Sequence, residues 1–113
     1  MNTSIRTVGD GESCVICVCG EIGFTEVSQL HQTIGQVLHS DSRHVLIDLS
    51  EVTFIASDGL GALVQAHTDA QEAGKAFELV HPQPHIVGLL RKTQLTRLFK
   101  IYPSVDEALA AGQ

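Results

Sequence analysis

Hydrophobic and polar residues follow two different periods along the chain, and their alternation predicts strands separated by helices. Residues 13–19 are mostly apolar and rich in β-branched side chains, which favours a strand. From about Thr25, apolar residues recur every three or four positions, which indicates a helix. Residues 44–50 are nearly all apolar, as in a central strand that is buried on both faces.

The same alternation continues in the second half of the chain. Apolar residues at helical spacing after residue 58 predict a helix that ends near Gly74, because glycine commonly follows the last turn of a helix. Shorter elements come next, namely a strand over residues 76–80, a helix around 85–92 and a strand near 99–101. Ser104 and Glu107 have the spacing of a capping box, which predicts a final helix.

Strand and helix thus alternate four times, which predicts an α/β fold with parallel strand pairs and helices packed against the sheet. The chain has 113 residues, and we expect a single domain over residues 1–113. The amino terminus is polar, and no segment approaches the roughly 18 apolar residues of a membrane span. We therefore expect a cytoplasmic protein that does not insert into a membrane.

The charge of the chain narrows the classes of partner. Its formal net charge is -6 and only 4% of its residues are aromatic, which argues against nucleic-acid binding, because that function needs a basic surface and exposed aromatic side chains. Residues 1–74 contain ten of the thirteen acidic residues, whereas five of the seven basic residues come later. An acidic surface on this part suits a basic partner. A solvated acidic face without a partner is the alternative that charge alone leaves open.

Three cysteines, Cys14, Cys17 and Cys19, lie within the first predicted strand. The Cys14-x-x-Cys17 spacing is shared with redox and zinc motifs, but on a strand these two side chains point to opposite sides. We therefore predict buried, reduced cysteines and expect no metal and no cofactor. His81 and His85 are a weak metal signal, because no carboxylate or thiolate is near them in the sequence. A small thiol or metal enzyme stays as a third alternative.

The sequence FIASDGLGAL, residues 54–63, places a hydroxyl beside a carboxylate where an apolar run breaks. A serine next to an aspartate suggests catalysis, but no base is visible nearby and the flanking glycines of a nucleophile elbow are missing. We instead predict a helix start, with Ser57 as the N-cap that accepts from the Leu60 amide and Asp58 in the first turn. Gly59 is expected to leave the surface bare for the close approach of another backbone.

Residues 45–67, VLIDLSEVTFIASDGLGALVQAH, resemble the signature of the STAS domain, the fold of bacterial anti-sigma-factor antagonists. VICVCGEI at 15–22 resembles the second strand and following turn of that family, and RLFKIYPSVDEALA at 97–110 resembles its last strand and helix. The resemblance covers nearly the whole chain. It implies a four- to five-stranded mixed sheet with about four helices packed mainly on one face.

The loop of this family commonly reads Asp-Ser-Ser/Thr-Gly-Leu, and its second hydroxyl is phosphorylated by a partner kinase that doubles as an anti-sigma factor. The corresponding residues in this chain are Ala56, Ser57, Asp58 and Gly59, so a carboxylate replaces the phosphoacceptor. The chain also has Gly23 where many members carry an aspartate. Switching by phosphorylation at position 58 is therefore not expected.

The resemblance implies a protein-interaction module rather than an enzyme, with a GHKL-type kinase or anti-sigma factor as its partner. The implied partner-binding residues are Glu21, Asp48, Ser57, Asp58, Gly59 and Leu60. Asp58 is expected either to mimic the phosphorylated, released state or to belong to an interface that has a constant acid. The alternative within the same fold is a STAS subunit that docks on the ATPase of an ABC-type lipid transporter.

Overall fold

The computed structural model describes residues 1–8 and 11–111, and in these residues five strands form one mixed sheet in the order β1-β2-β3-β4-β5. The strands are β1 (Asn2–Val8), β2 (Ser13–Ile22), β3 (His44–Ile55), β4 (Ala76–Val80) and β5 (Ile101–Tyr102). The helices are α1 (Val27–Leu38), α2 (Ser57–Glu72), α3 (Pro84–Lys92) and α4 (Val105–Ala111). Short 3-10 turns occur at Phe24–Glu26 and Leu95–Arg97. The expected sheet and helices are thus confirmed.

The first strand, β1, is the element that the hydrophobic pattern did not predict. It pairs antiparallel with β2 along its whole length, from Asn2 opposite Cys19 to Val8 opposite Ser13, whereas the other neighbouring strands pair in parallel. Most of its side chains are exposed, and even Ile5 is 46% accessible. An edge strand held by backbone hydrogen bonds needs no alternating apolar face, so its sequence carries no period-2 signal.

The core lies on both faces of the sheet, and β3 contributes to each side. Val45, Ile47 and Leu49 join the larger cluster, which also contains buried residues of α1, α2 and α3. Leu46 joins a smaller cluster with Ala108 of α4. Three helices therefore cover one face and α4 covers part of the other, as expected for helices packed mainly on one face. The predicted burial of β3 on both faces is also confirmed.

Beyond Asp48, the edge of β3 that faces β4 is capped by side chains rather than by a strand. β4 pairs with β3 only from His44 to Asp48, so the rest of this edge has no strand neighbour on that side. Gln83 donates its amide N–H to the Ser50 carbonyl at 3.0 Å, and the His85 ring Nε2–H donates to the Thr53 carbonyl at 2.7 Å. Because unpaired strand carbonyls are costly and invite pairing, these two side chains stabilise the exposed part of the edge.

A buried carboxylate links the three adjacent strands on the α4 side of the sheet. The side chain of Glu78 in β4 is 11% accessible and accepts a hydrogen bond from the ring Nε2–H of His44 in β3. The Tyr102 hydroxyl of β5 approaches the other carboxylate oxygen at 3.5 Å. Because a buried charge without partners is costly, His44 is needed to keep Glu78 in place.

We expect His44→Leu to lower the free energy of unfolding by about 1–3 kcal/mol, because the Glu78 carboxylate loses its principal partner inside the protein. Urea unfolding followed by circular dichroism measures this change. The double variant His44→Leu/Glu78→Leu is the matched control and should recover part of the loss. Losses that simply add in the double variant would mean that the two side chains are not coupled.

Candidate functional site

Along the chain, α2 begins almost directly after the end of β3, with only Ala56 between them. Ala56 has extended backbone angles, φ -78° and ψ 168°, and its N–H donates to the Ile22 carbonyl at 2.9 Å. The Leu60 N–H donates to the Ala56 carbonyl at 3.0 Å, so Ala56 is the N-cap and Ser57 is the first helical residue. The prediction that Ser57 caps the helix is wrong, because the strand ladder continues through Ala56 and the helix begins immediately after it.

Two of the predicted site residues face solvent at this helix start. Ser57 and Asp58 are both exposed, and Asp58 is the acidic residue of the first turn, as predicted. The helix has no side-chain N-cap hydrogen bond. Because the first N–H groups of a helix have no intrahelical acceptor and carry partial positive charge, the Asp58 carboxylate stabilises this end of α2.

Gly59 and Leu60 face the protein interior instead. A Cβ atom on Gly59 would lie 2.6 Å from the Ile22 carbonyl oxygen and 2.7 Å from its Cγ2 atom. Leu60 is 9% accessible and belongs to the larger core cluster. The expectation that Gly59 is bare for a partner's backbone is wrong, because the chain's own β2 occupies that space. These two residues position the helix, and Ser57 and Asp58 are what it presents.

Two exposed aromatic residues that the sequence interpretation missed lie at the same edge of the sheet as this helix start. Phe54 is 52% accessible and lies opposite Glu21 in the parallel register of β2 and β3, where Glu21 is also exposed. Phe24 is 75% accessible and opens the 3-10 turn that contacts α2. We call Glu21, Phe24, Phe54, Ser57 and Asp58 the α2 surface. The sequence did contain a signal for the exposure of Phe54: it stands next to Ile55, and neighbouring residues of a strand point to opposite faces.

Asp48 is not brought to the α2 surface. Its Oδ1 accepts the Ser50 N–H at 2.9 Å, and its Oδ2 lies 3.9 Å from the Cys17 Sγ, on the sheet face that α4 partly covers. It precedes Ile55 by seven residues, a stretch of up to about 23 Å at about 3.3 Å per strand residue. The contacts of Asp48 therefore support a local role in shaping β3.

The region of the α2 surface is acidic. Besides Glu21 and Asp58, the neighbouring turn contains Glu26, whose carboxylate accepts a hydrogen bond from the Thr25 hydroxyl at 2.5 Å. This hydrogen bond lowers the pKa of the Glu26 carboxyl, so the charge persists below the usual titration range of glutamate. The only arginine or lysine between residues 12 and 74 is Arg43, which precedes the opposite end of β3. A basic partner surface would complement this charge.

In the described part of the chain, the cysteines and histidines do not assemble a reactive centre. All three cysteines are free, and burial raises the pKa of the Cys14 thiol, which opposes thiolate chemistry. The prediction of buried cysteines holds for Cys14, whereas Cys17 is only half-buried and the prediction is wrong for Cys19, which is exposed. Within residues 1–8 and 11–111, no cluster of three or more metal-ligating side chains occurs, and no helix is long and apolar enough to span a membrane.

Comparison with known proteins gives consistent results. The STAS domain family model matches residues 4–108. A Thermotoga neapolitana protein, named as a homologue of the anti-sigma factor antagonist TM1081, is 34% identical over 78 residues, which is 69% of each chain. The crystal structure of an anti-sigma factor antagonist from Mycobacterium paratuberculosis is 29% identical, with a TM-score of 0.83 over 97% of this chain and 93% of that one.

The Bacillus protein SpoIIAA has the same fold at lower sequence identity. Its unphosphorylated form is 17% identical, with a TM-score of 0.79 over 96% of this chain and 93% of that one. Its phosphorylated form is also 17% identical, with a TM-score of 0.74 over 99% of this chain and 100% of that one. At this identity the likeness shows a shared fold.

We expect Gly59→Ala to lower the free energy of unfolding by about 1–3 kcal/mol, because the new methyl group meets the Ile22 carbonyl. Gly61→Ala is the matched control in the same helix, since a Cβ atom there meets nothing within 4 Å. That control should raise stability by about 0.5–1 kcal/mol through helix propensity alone. Equal effects of the two substitutions in urea unfolding would contradict the role of the Gly59 contact.

Proposed function

Because the chain belongs to the STAS domain family and, within it, to the anti-sigma factor antagonists, we propose that it binds an anti-sigma factor of the GHKL kinase type through the α2 surface. The observation that carries this proposal is the exposed pair Ser57 and Asp58 on a helix start that buried Gly59 and Leu60 hold in place. These antagonists are a non-enzymatic regulatory family, and the expectation that the chain is not an enzyme is thereby confirmed.

The composition of the α2 surface supports binding to a protein. Exposed aromatic side chains are enriched at interface centres, because their burial removes a large apolar area from water. Phe24 lies in the turn that contacts α2, and Phe54 precedes Ser57 by three residues; both side chains are exposed. Acidic groups near exposed apolar side chains direct a basic partner surface and set its orientation. The proposed interface therefore combines exposed aromatic and acidic side chains.

Asp58 gives this binding a constant charge. A phosphate carries about -1.5 to -2 charge at pH 7 and three acceptor oxygens, whereas a carboxylate carries -1 at all times near neutrality. SpoIIAA, which has this fold, has been solved in unphosphorylated and phosphorylated forms. The position that aligns with the family's phosphoacceptor has no hydroxyl in this chain, so binding is not switched by phosphorylation there.

We expect residue 58 to stay unmodified when the chain is incubated with its captured partner kinase and ATP, because a carboxylate does not accept the phosphoryl group as a stable ester. Intact mass spectrometry followed by peptide mapping checks this. Asp58→Ser is the matched variant and restores a hydroxyl at the exposed first turn, so it is the form that should become phosphorylated. A stoichiometric phosphate on Ser57 of the unmodified chain would contradict the proposal.

Affinity capture from an extract of the native host with wild type, Asp58→Ser and Asp58→Ala tests whether position 58 lies at the interface. Tighter capture by both variants would indicate that Asp58 mimics the released state, and weaker capture would indicate an interface that uses the acid. Equal capture by all three would place residue 58 outside the interface. Recovery of a membrane transporter's ATPase in place of a soluble kinase would favour the lipid-transporter alternative.

We expect Phe24→Ser and Phe54→Ser each to weaken binding of the captured partner about tenfold or more, because each removes an aromatic side chain from the proposed interface. Leu98→Ser is the matched control, since Leu98 is also an exposed large hydrophobic residue, at 38%, but lies outside the α2 surface. Isothermal titration calorimetry measures the affinities. Unchanged affinity in both phenylalanine variants would contradict this location of the interface.

A further inference from the structure

Four of the seven basic residues fall within residues 91–100, away from the α2 surface, and two of them, Arg91 and Lys100, line a cleft between α3 and β5. This open cleft has a volume of about 570 Å³, and Arg91, Thr96, Phe99, Lys100 and Tyr102 are among its lining residues. Sites for small molecules typically have volumes of about 300–1,000 Å³ and combine an apolar lining with a few converging polar groups. We propose that this cleft binds a small organic anion, a phosphate or carboxylate attached to an aromatic or apolar body.

Two cations line the cleft. Arg91 lies in the last turn of α3 and Lys100 directly precedes β5, and in the described part of the chain neither forms an ion pair. Lys75 differs, because its ammonium group donates to the carbonyls of Ser40 and Ser42 at 2.5 and 2.7 Å and so joins two loops. The charges of Arg91 and Lys100 are therefore free to bind an anion.

The remaining lining residues suit the apolar body of such a ligand. Phe99 is 3% accessible and fixed in the core, where its ring packs against His67 with centroids 5.6 Å apart. Tyr102 also lines the cleft, and its hydroxyl points toward Glu78 on the α4 side of the sheet. Thr96 also lines the cleft, and its hydroxyl is a neutral group that can donate a hydrogen bond to an anion. None of the residues that the structure shows lining the cleft is acidic.

The basic cluster contrasts with the acidic charge of the chain as a whole. The formal net charge is -6, yet Arg91, Lys92, Arg97 and Lys100 fall within ten residues. A local positive potential on an acidic protein concentrates small anions at that place. Arg91 and Lys92 also complement the carboxyl end of the α3 dipole, but this ordinary role does not require either of them to line a cleft. Only Arg91 of the two does so, and the pair Lys92 and Arg97 thus provides a control of equal charge.

Titration of the intact isotope-labelled chain with four probes tests the proposal by amide chemical shifts. Phenyl phosphate and benzoate carry both a charge and a ring, inorganic phosphate carries charge alone, and benzyl alcohol carries a ring alone. We expect saturable shifts within residues 87–102 with phenyl phosphate or benzoate and binding at least about tenfold weaker with the two partial probes. The stronger of the two complete probes identifies phosphate or carboxylate as the preferred group.

Variants separate the cleft from general charge attraction. Arg91→Ala/Lys100→Ala should weaken binding of the stronger probe at least about tenfold, whereas Lys92→Ala/Arg97→Ala, with the same change in charge, should bind nearly as wild type. Equal losses in the two variants, saturation by benzyl alcohol at the same concentration, or shifts confined to residues outside 87–102 would each overturn the proposal. The wild-type shift map stands without the variants if either fails to fold. Because the cleft shares no residue with the α2 surface, failure here leaves the proposed partner binding untouched.

Discussion

The contact between Gly59 and the Ile22 carbonyl determines what the start of α2 presents to solvent. The same carbonyl oxygen accepts the Ala56 N–H and lies 2.6 Å from the place that a Cβ atom of residue 59 would take. This one oxygen atom thus contacts both the end of the parallel ladder between β2 and β3 and the first turn of α2. Successive helical residues are about 100° apart, so with Gly59 and Leu60 turned inward, Ser57 and Asp58 must turn outward. The direction of the exposed pair follows from a backbone contact that its own side chains do not make.

Much of the fold could be read from the sequence where one pattern determined the answer. The apolar run of β3, Gly74 after α2 with φ +71°, and Ser104, whose hydroxyl accepts the Glu107 N–H at 3.1 Å, all behave as local physics requires. β1 was not predicted because most of its side chains face solvent, so its sequence lacks an alternating apolar pattern. Ser57 was misassigned because capping by a hydroxyl and continuation of a strand ladder through Ala56 compete for the same turn, and only tertiary structure decides between them.

The candidate site was predictable only in part, for a related reason. Asp58 was correctly assigned to the first turn because that assignment depends on near neighbours along the chain. Asp48 comes close to the motif in sequence but stays in the middle of an extended β3, where Cys17 and Ser50 engage it. Phe24 follows β2 and Phe54 lies near the end of β3, so only the pairing of β2 with β3 brings them to the same edge of the sheet. Proximity in sequence is thus a poor guide when twelve residues form one strand.

In the first turn of α2, residues that packing fixes stand next to a residue that is exposed to solvent. Gly59 and Leu60 have almost no freedom to vary, because one touches a carbonyl and the other is in the core. The side chain of residue 58 touches neither, so a hydroxyl, an amide or a carboxylate can stand there at little expense to folding. Mutation can therefore explore chemistry at this position while the scaffold stays constant. A single substitution at this position can thus change the charge of the helix start without a change of fold.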